Sequence, residues 1–331
     1  MKRGTFSAAL LDTRQTLFLI FSLIICSTMS SQAFAVGPMT GGPAHDTRSD
    51  SNSVIRADSL VMTSTGGAKS VYVPRWYEMI TRLPGDWERF GLQSFRTENI
   101  PLAVGIAGLT AGLMAADNGL WQAESGWYNR HRGFRGFSND MVFVGDGRFQ
   151  FGIVGAFATY GFAFNDSRAL RTASEVTEAI LATGAVVQFL KHATGRERPE
   201  VASEIGGDWT FFPGQLAYLK HVPHYDSFPS GHIATATTTL IVIAENYPEV
   251  TWLKPAGYVV LGMISSSLVA YGIHWWSDIP LGIVLGYSFG EIASHPLNVH
   301  LDSSSGNYSP KLSFEPVLMQ NGLGVDLGLS F

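Results

Sequence analysis

Six apolar stretches of helical length, near 100–116, 141–164, 174–190, 233–245, 256–273 and 279–293, constrain this chain more than any other feature. Each is followed by polar, Gly or Pro residues, and their Ala, Gly and Leu content favours helices over strands. No internal repeat and no heptad pattern connects them. The expected fold class is all-α. Most of the stretches fall short of the ~20 apolar residues a membrane span needs, and several carry Thr or Ser, as in Ala234-Thr235-Ala236-Thr237-Thr238-Thr239. A buried helical core and a set of membrane spans both fit this pattern. The connecting charges do not separate the two. Arg130, Arg132 and Arg135 lie in one connection and Arg168 and Arg171 in the next, on opposite sides if every stretch crossed.

The ends of the chain read differently. Residues 1–35 have the form of a signal peptide, with Lys2, Arg3 and Arg14, an apolar core from Leu17 to Ile25, and Ala33-Phe34-Ala35 before a cleavage point at Val36. The plain alternative is an uncleaved anchor. Cys26 is the only cysteine, and Ile25 before it is not the small residue of a lipoprotein signal, so a processed chain has no thiol for disulfides, catalysis or metal binding. Residues 36–84, rich in Gly, Ser, Thr and Asp, are expected to form a linker or disordered arm, followed by a helical domain over 85–297 and a tail over 298–331. In the tail, Lys311 to Leu318 and Leu323 to Phe331 flank Gln320-Asn321-Gly322, a β-hairpin signal, and Leu323, Val325, Leu327, Leu329 and Phe331 share one face. The chain is 46% apolar and 15% charged, leaner in charge than an ordinary soluble domain. A formal charge of −5 without a basic tract argues against nucleic-acid binding. An exported site near Lys191 requires that one of the stretches does not cross, or that none does, because three crossings from outside end in the cytoplasm.

Three clusters carry chemistry. Lys191-His-Ala-Thr-Gly-Arg196-Glu-Arg198-Pro199 closes the third stretch, and Gly195 and Pro199 imply that the chain turns there. Cations at a helix end are ordinarily solvated, or complement the helix dipole. They become a site where an anion meets them, since the guanidinium fork binds phosphate oxygens in pairs. Phe228-Pro229-Ser230-Gly231-His232 opens the fourth stretch. Ser230 is an ordinary helix cap, but it also offers a hydroxyl beside the unobstructed N–H of Gly231, and His232 can protonate a leaving alkoxide. His274-Trp275-Trp276-Ser277-Asp278 places a His and an Asp at i and i+4; the carboxylate would fix the ring tautomer and leave the other nitrogen as nucleophile or base. Taken alone, each cluster has a purely structural reading. Together they hold what phosphoryl transfer needs: cations and N–H donors around the oxygens, an in-line nucleophile and an acid for the leaving group.

These residues resemble the type 2 phosphatidic acid phosphatase superfamily, which also contains bacterial acid phosphatases and vanadium haloperoxidases. Its first motif, Lys, six residues, Arg-Pro, is matched by Lys191 to Arg198-Pro199, and its second, Pro-Ser-Gly-His, by Pro229 to His232. Its third, Ser-Arg, five residues, His, three residues, Asp, is matched by Ser267, His274 and Asp278, with Leu268 standing where the arginine belongs. The resemblance spans about residues 85 to 297 and implies an all-helical core bundle. It further implies that Lys191, Arg198, Ser230 and Gly231 hold the phosphate, that His274 is the nucleophile with Asp278 as its partner, and that His232 is the acid. Arg196 is the candidate auxiliary cation for the missing arginine, whose loss commonly costs a few kcal/mol of transition-state stabilisation.

The expectation is a phosphatase needing no metal or cofactor, because the cations do that work. Its substrate is a phosphorylated lipid at a membrane surface in the periplasm or cell envelope, and Trp209, Phe211, Phe212, Trp275 and Trp276 suit such an interface. A soluble acid phosphatase acting on small esters, a phosphate-binding relative without turnover, and a structural envelope protein anchored by the hairpin are the alternatives.

Overall fold

A computed structural model describes residues 77–296 and, as backbone only, two strands of the tail. The signal segment, Cys26 and nearly all of the expected arm lie outside the described residues. Among the described residues ten α-helices follow one another: α1 (Glu78–Thr81), α2 (Leu83–Ser94), α3 (Ile100–Arg130), α4 (Arg132–Gly145), α5 (Gly147–Phe164), α6 (Ser167–Thr194), α7 (Gln215–Lys220), α8 (Gly231–Asn246), α9 (Leu253–Tyr271) and α10 (Ile279–Ser294). Among the described residues, helix is thus already present at Glu78, inside the span 36–84 expected to be arm. In the tail, β1 (Lys311–Met319) pairs antiparallel with β2 (Gly322–Ser330), Met319 facing Gly322.

Local chemistry sets the helix ends. Asp166 caps α6 by accepting from the Arg168 and Ala169 N–H groups, and Ser230 caps α8 by accepting from Ile233 N. α6 stops at Gly195, which takes a left-handed φ of 54°. A Cβ there would overlap the Thr210 carbonyl oxygen, so this sharp exit requires glycine. The single stretch expected over 141–164 is two helices, because extended Asp146 breaks it and caps α5 through Arg148 N.

α8 lies at the centre, packed against α6 and α10. Gly286 lets α10 approach so closely that a Cβ would overlap the Ala234 carbonyl oxygen. That approach holds the start of α8 against the start of α10, and Ser230 N donates to the Asp278 carbonyl at 3.0 Å. Ile233, Leu261, Ile264, Leu268, Ile273 and Trp276 form the core below this junction.

The outer faces are apolar: Val104, Phe151, Phe164, Leu181, Phe189 and Val259 are exposed, while Asp117, Glu175 and Glu178 are buried. Three segments, Thr97–Arg130, Ser167–Thr194 and Leu253–Tyr271, are long and apolar enough to cross a membrane.

Candidate active site

The three motif clusters converge where α6 ends and α8 and α10 begin. After Gly195, residues 196–198 run between two neighbouring segments. Glu197 N donates to Asp208 O on one side, and Ser227 N donates to Arg196 O on the other, both at 3.0 Å. Glu197 ties this turn together: its carboxylate accepts from Ser203 N at 2.7 Å, Ser203 Oγ at 2.8 Å and Asp208 N at 3.2 Å, and meets His224 Nδ1 at 3.0 Å. Burial pushes this carboxyl up, but these hydrogen bonds outweigh it and hold the group down at about 2, from an ordinary 4.5. A depressed carboxylate contributes stability that is complete above 4.5 and is lost as pH falls through 2. Acid titration of the unfolding midpoint should therefore show a loss of about 2–3 kcal/mol across that window. Glu197→Gln should be less stable at neutral pH and largely flat there; an unchanged acid limb would contradict this.

His274 is buried, and its Nδ1 donates to the Ser227 carbonyl at 2.8 Å. That bond places the proton on Nδ1. Nε2 is then the lone-pair nitrogen, and it is buried without a hydrogen-bond partner. Burial pushes the imidazole pKa down, against the pull of Asp278, so the ring is neutral. Asp278 Oδ2 stands 3.5 Å from Nδ1. The group that fixes the tautomer is therefore the Ser227 carbonyl, and not the carboxylate expected from the i, i+4 spacing. Asp278 instead gathers the surrounding donors: Ser227 Oγ at 2.6 Å, Trp275 N at 2.8 Å and Arg196 Nη1 at 2.6 Å.

His232 packs edge-on to His274, with ring centroids 5.6 Å apart. Burial, then the charges of His274 and Lys191, pushes its pKa down to about 3, with Asp146 opposing them. Lys191 reaches over the start of α8: a Cβ on Gly231 would come within 3.9 Å of Lys191 Nζ. Arg198 makes a two-pronged pair with Asp226, Nε and Nη2 each at 2.7 Å, and Lys191 Nζ lies 3.7 Å from the same carboxylate.

Arg196 does not take the auxiliary role expected of it. All five of its N–H donors are engaged within the protein: Nη1 with Ser277 Oγ and Asp278, Nη2 with Asp117 and the Gly206 carbonyl, and Nε with the same carbonyl. None is left for an anion. Leu268 is fully buried in the core, and its carbonyl accepts from Ile273 N at 3.0 Å. It does not face the cradle, so among the described residues Lys191 and Arg198 are the cations there. Asp226 and Asp117 were missed in the sequence. Asp226 stands just before the Pro-Ser-Gly-His motif, and Asp117 is a carboxylate near the end of an apolar run, a position that signals function or a buried partner.

The aromatic set divides. Trp275 and Trp276 are buried, whereas Phe211 and Phe212 are 67% and 75% exposed, together with Leu216 and Leu219, on the segment after the first motif. An apolar cavity of about 450 Å³ lies between α2, α3 and α10, lined by Phe90, Leu102, Ile106, Leu281 and Leu285, with Phe228 of the second motif in its wall. Among the described residues, Glu245, Glu291 and His295 bring three potential metal ligands together, at the opposite end of α8 from the site, with Lys254 Nζ 2.5 Å from Glu245.

Residues 173–298 match the PAP2 superfamily. Among solved structures, that of Aquifex aeolicus LpxE is 21% identical and covers 54% of this chain and 93% of its own, with a TM-score of 0.40. A transmembrane PAP2 type phosphatidylglycerolphosphate phosphatase from Bacillus subtilis is 18% identical and covers 57% of this chain and 92% of its own, with a TM-score of 0.37. No curated protein sequence matches.

Proposed function

We propose that this chain is a phosphatase that removes phosphate from a lipid phosphate or pyrophosphate through a phosphohistidine on His274, at a membrane surface of the cell envelope. The observation that carries this reading is the unpartnered Nε2 of buried His274, its proton held on the opposite nitrogen, beside His232 and the Lys191–Arg198 pair.

In this reading Lys191, Arg198, Ser230 Oγ and the Gly231 N–H hold the phosphoryl oxygens. The His274 Nε2 lone pair attacks phosphorus, the bond to the leaving oxygen breaks, and His232 gives that oxygen its proton. Asp278 balances the positive charge then on the ring. Water next attacks phosphorus and loses a proton to His232, the P–N bond breaks, and His274 returns to its neutral form. The apolar cavity against Phe228 suits the tail of a lipid substrate, and exposed Phe211 and Phe212 suit a membrane-facing rim. The apolar exterior and buried charges of the bundle favour membrane integration.

Phosphate release from a panel of lipid phosphates, lipid pyrophosphates and small soluble esters, with and without detergent, tests this. Turnover of lipid substrates that responds to detergent is expected. Turnover of small esters alone would move the reading to an acid phosphatase. A second reading, a phosphate-binding protein without turnover, is favoured by Leu268 in the core where the motif arginine belongs. Phosphate binding with no ester cleaved by excess protein would establish it.

A further inference from the structure

Asp226 faces the two cradle cations from inside the site. It pairs with Arg198 through two 2.7 Å bonds and lies 3.7 Å from Lys191 Nζ, while its own exposure is only 7%. The other charged or titratable groups set around it are Glu200, 3.4 Å from Arg198 Nη1, Tyr218 of α7, and His274. Burial pushes the Asp226 carboxyl up, but the Arg198 hydrogen bonds and the Lys191 charge hold it below its ordinary value, so it is ionised. With Leu268 in the core, the enclosed charges are Lys191, Arg198 and Asp226, a net of one positive, while Glu200 stands more exposed to solvent on the outer side of Arg198.

We propose that Asp226 is a specificity-determining residue that matches the cradle to a phosphoryl group carrying a single negative charge. Resting on the phosphatase reading above, this names the substrate's form as the phosphate monoester monoanion, or a pyrophosphate end of equal charge. The proton on the monoanion's oxygen faces the carboxylate, while the remaining oxygens meet Lys191, Arg198 and the start of α8. A dianion brings a second charge against Asp226 with no further cation to answer it.

The test is binding of inorganic phosphate to the full chain, measured across pH alongside turnover of a phosphate monoester. For wild type, the apparent Kd should rise about tenfold per pH unit above the second ionisation of inorganic phosphate, about 7. Asp226→Asn should bind the dianion, flattening that limb and tightening phosphate about tenfold or more at pH 8. Asp226→Glu, which keeps the charge, should retain the wild-type slope, and intact thermal transitions in both variants exclude misfolding as the cause. Wild-type pH dependence in Asp226→Asn overturns the proposal. Loss of phosphate binding by Asp226→Asn at every pH also overturns it, because Asp226 would then only position the cations. Wild type that binds phosphate with the stated slope but cleaves no ester upholds charge selection and removes the phosphatase reading instead.

Discussion

Replacing His274 by alanine should lower kcat by on the order of 10^4-fold or more while leaving phosphate bound. The two effects separate because the residues differ in role. The groups proposed to hold the phosphoryl oxygens come from α6, the turn after it and the start of α8, whereas His274 enters from the loop between α9 and α10. The substitution leaves the Ser227 carbonyl without its imidazole donor, which costs about 1 kcal/mol and does not unfold the chain. Rapid acid- and base-quench of radiolabelled substrate should give a base-stable, acid-labile phosphoprotein with wild type and none with the variant. Turnover within tenfold of wild type would place the nucleophile elsewhere.

Arg196→Ala should destabilise the protein by about 3–5 kcal/mol, the largest stability effect expected of any single side chain here. Arg196 is 1% exposed, between Asp117 and Asp278, each 0% exposed. Removing the guanidinium leaves two carboxylates buried near one another without their shared counter-charge. Arg196→Lys should recover only part of the loss, because an ammonium cannot reproduce the five-donor fork. The more telling comparison is Arg196→Met with and without Asp117→Leu: the double variant should be more stable than the single one, since it no longer buries an unpaired charge at that position. Denaturant unfolding in detergent measures all of these. A loss below about 1 kcal/mol in Arg196→Ala would show that the network is not closed as described.

That the three motif clusters belong to one place was legible in the sequence, because their spacing singles them out. Lys191, Arg198, Ser230, Gly231, His232, His274 and Asp278 meet at one junction of three helices. Helix positions were legible from apolar runs, except where one polar residue interrupts a run. Asp146 divides 141–164 because its side chain caps the next helix, a local preference that hydropathy averages away. What was not legible depends on contacts between distant segments. Arg196 reads as a free cation until Asp117, on a helix far earlier in the chain, is found against it. The tautomer of His274 is set by a backbone carbonyl, a group every residue possesses and no side-chain pattern marks. Asp226 lay in view beside a motif, but its meaning depends on which way Arg198 turns after Gly195.

The part played by α3 bears on where this protein can be cut. Asp117 accepts from Ser277 N at 3.1 Å and from Arg196, and Glu124 accepts from Trp276 Nε1 at 3.1 Å, so one helix grips the loop between α9 and α10 at two points. Both carboxylates lie upstream of the 173–298 segment that matches the superfamily. A fragment confined to that segment would contain every motif residue and still lack the anchors for its third motif. The unit that can be expressed, transplanted or recombined as a working module is therefore larger than the unit that is recognised, and its boundary falls before α3.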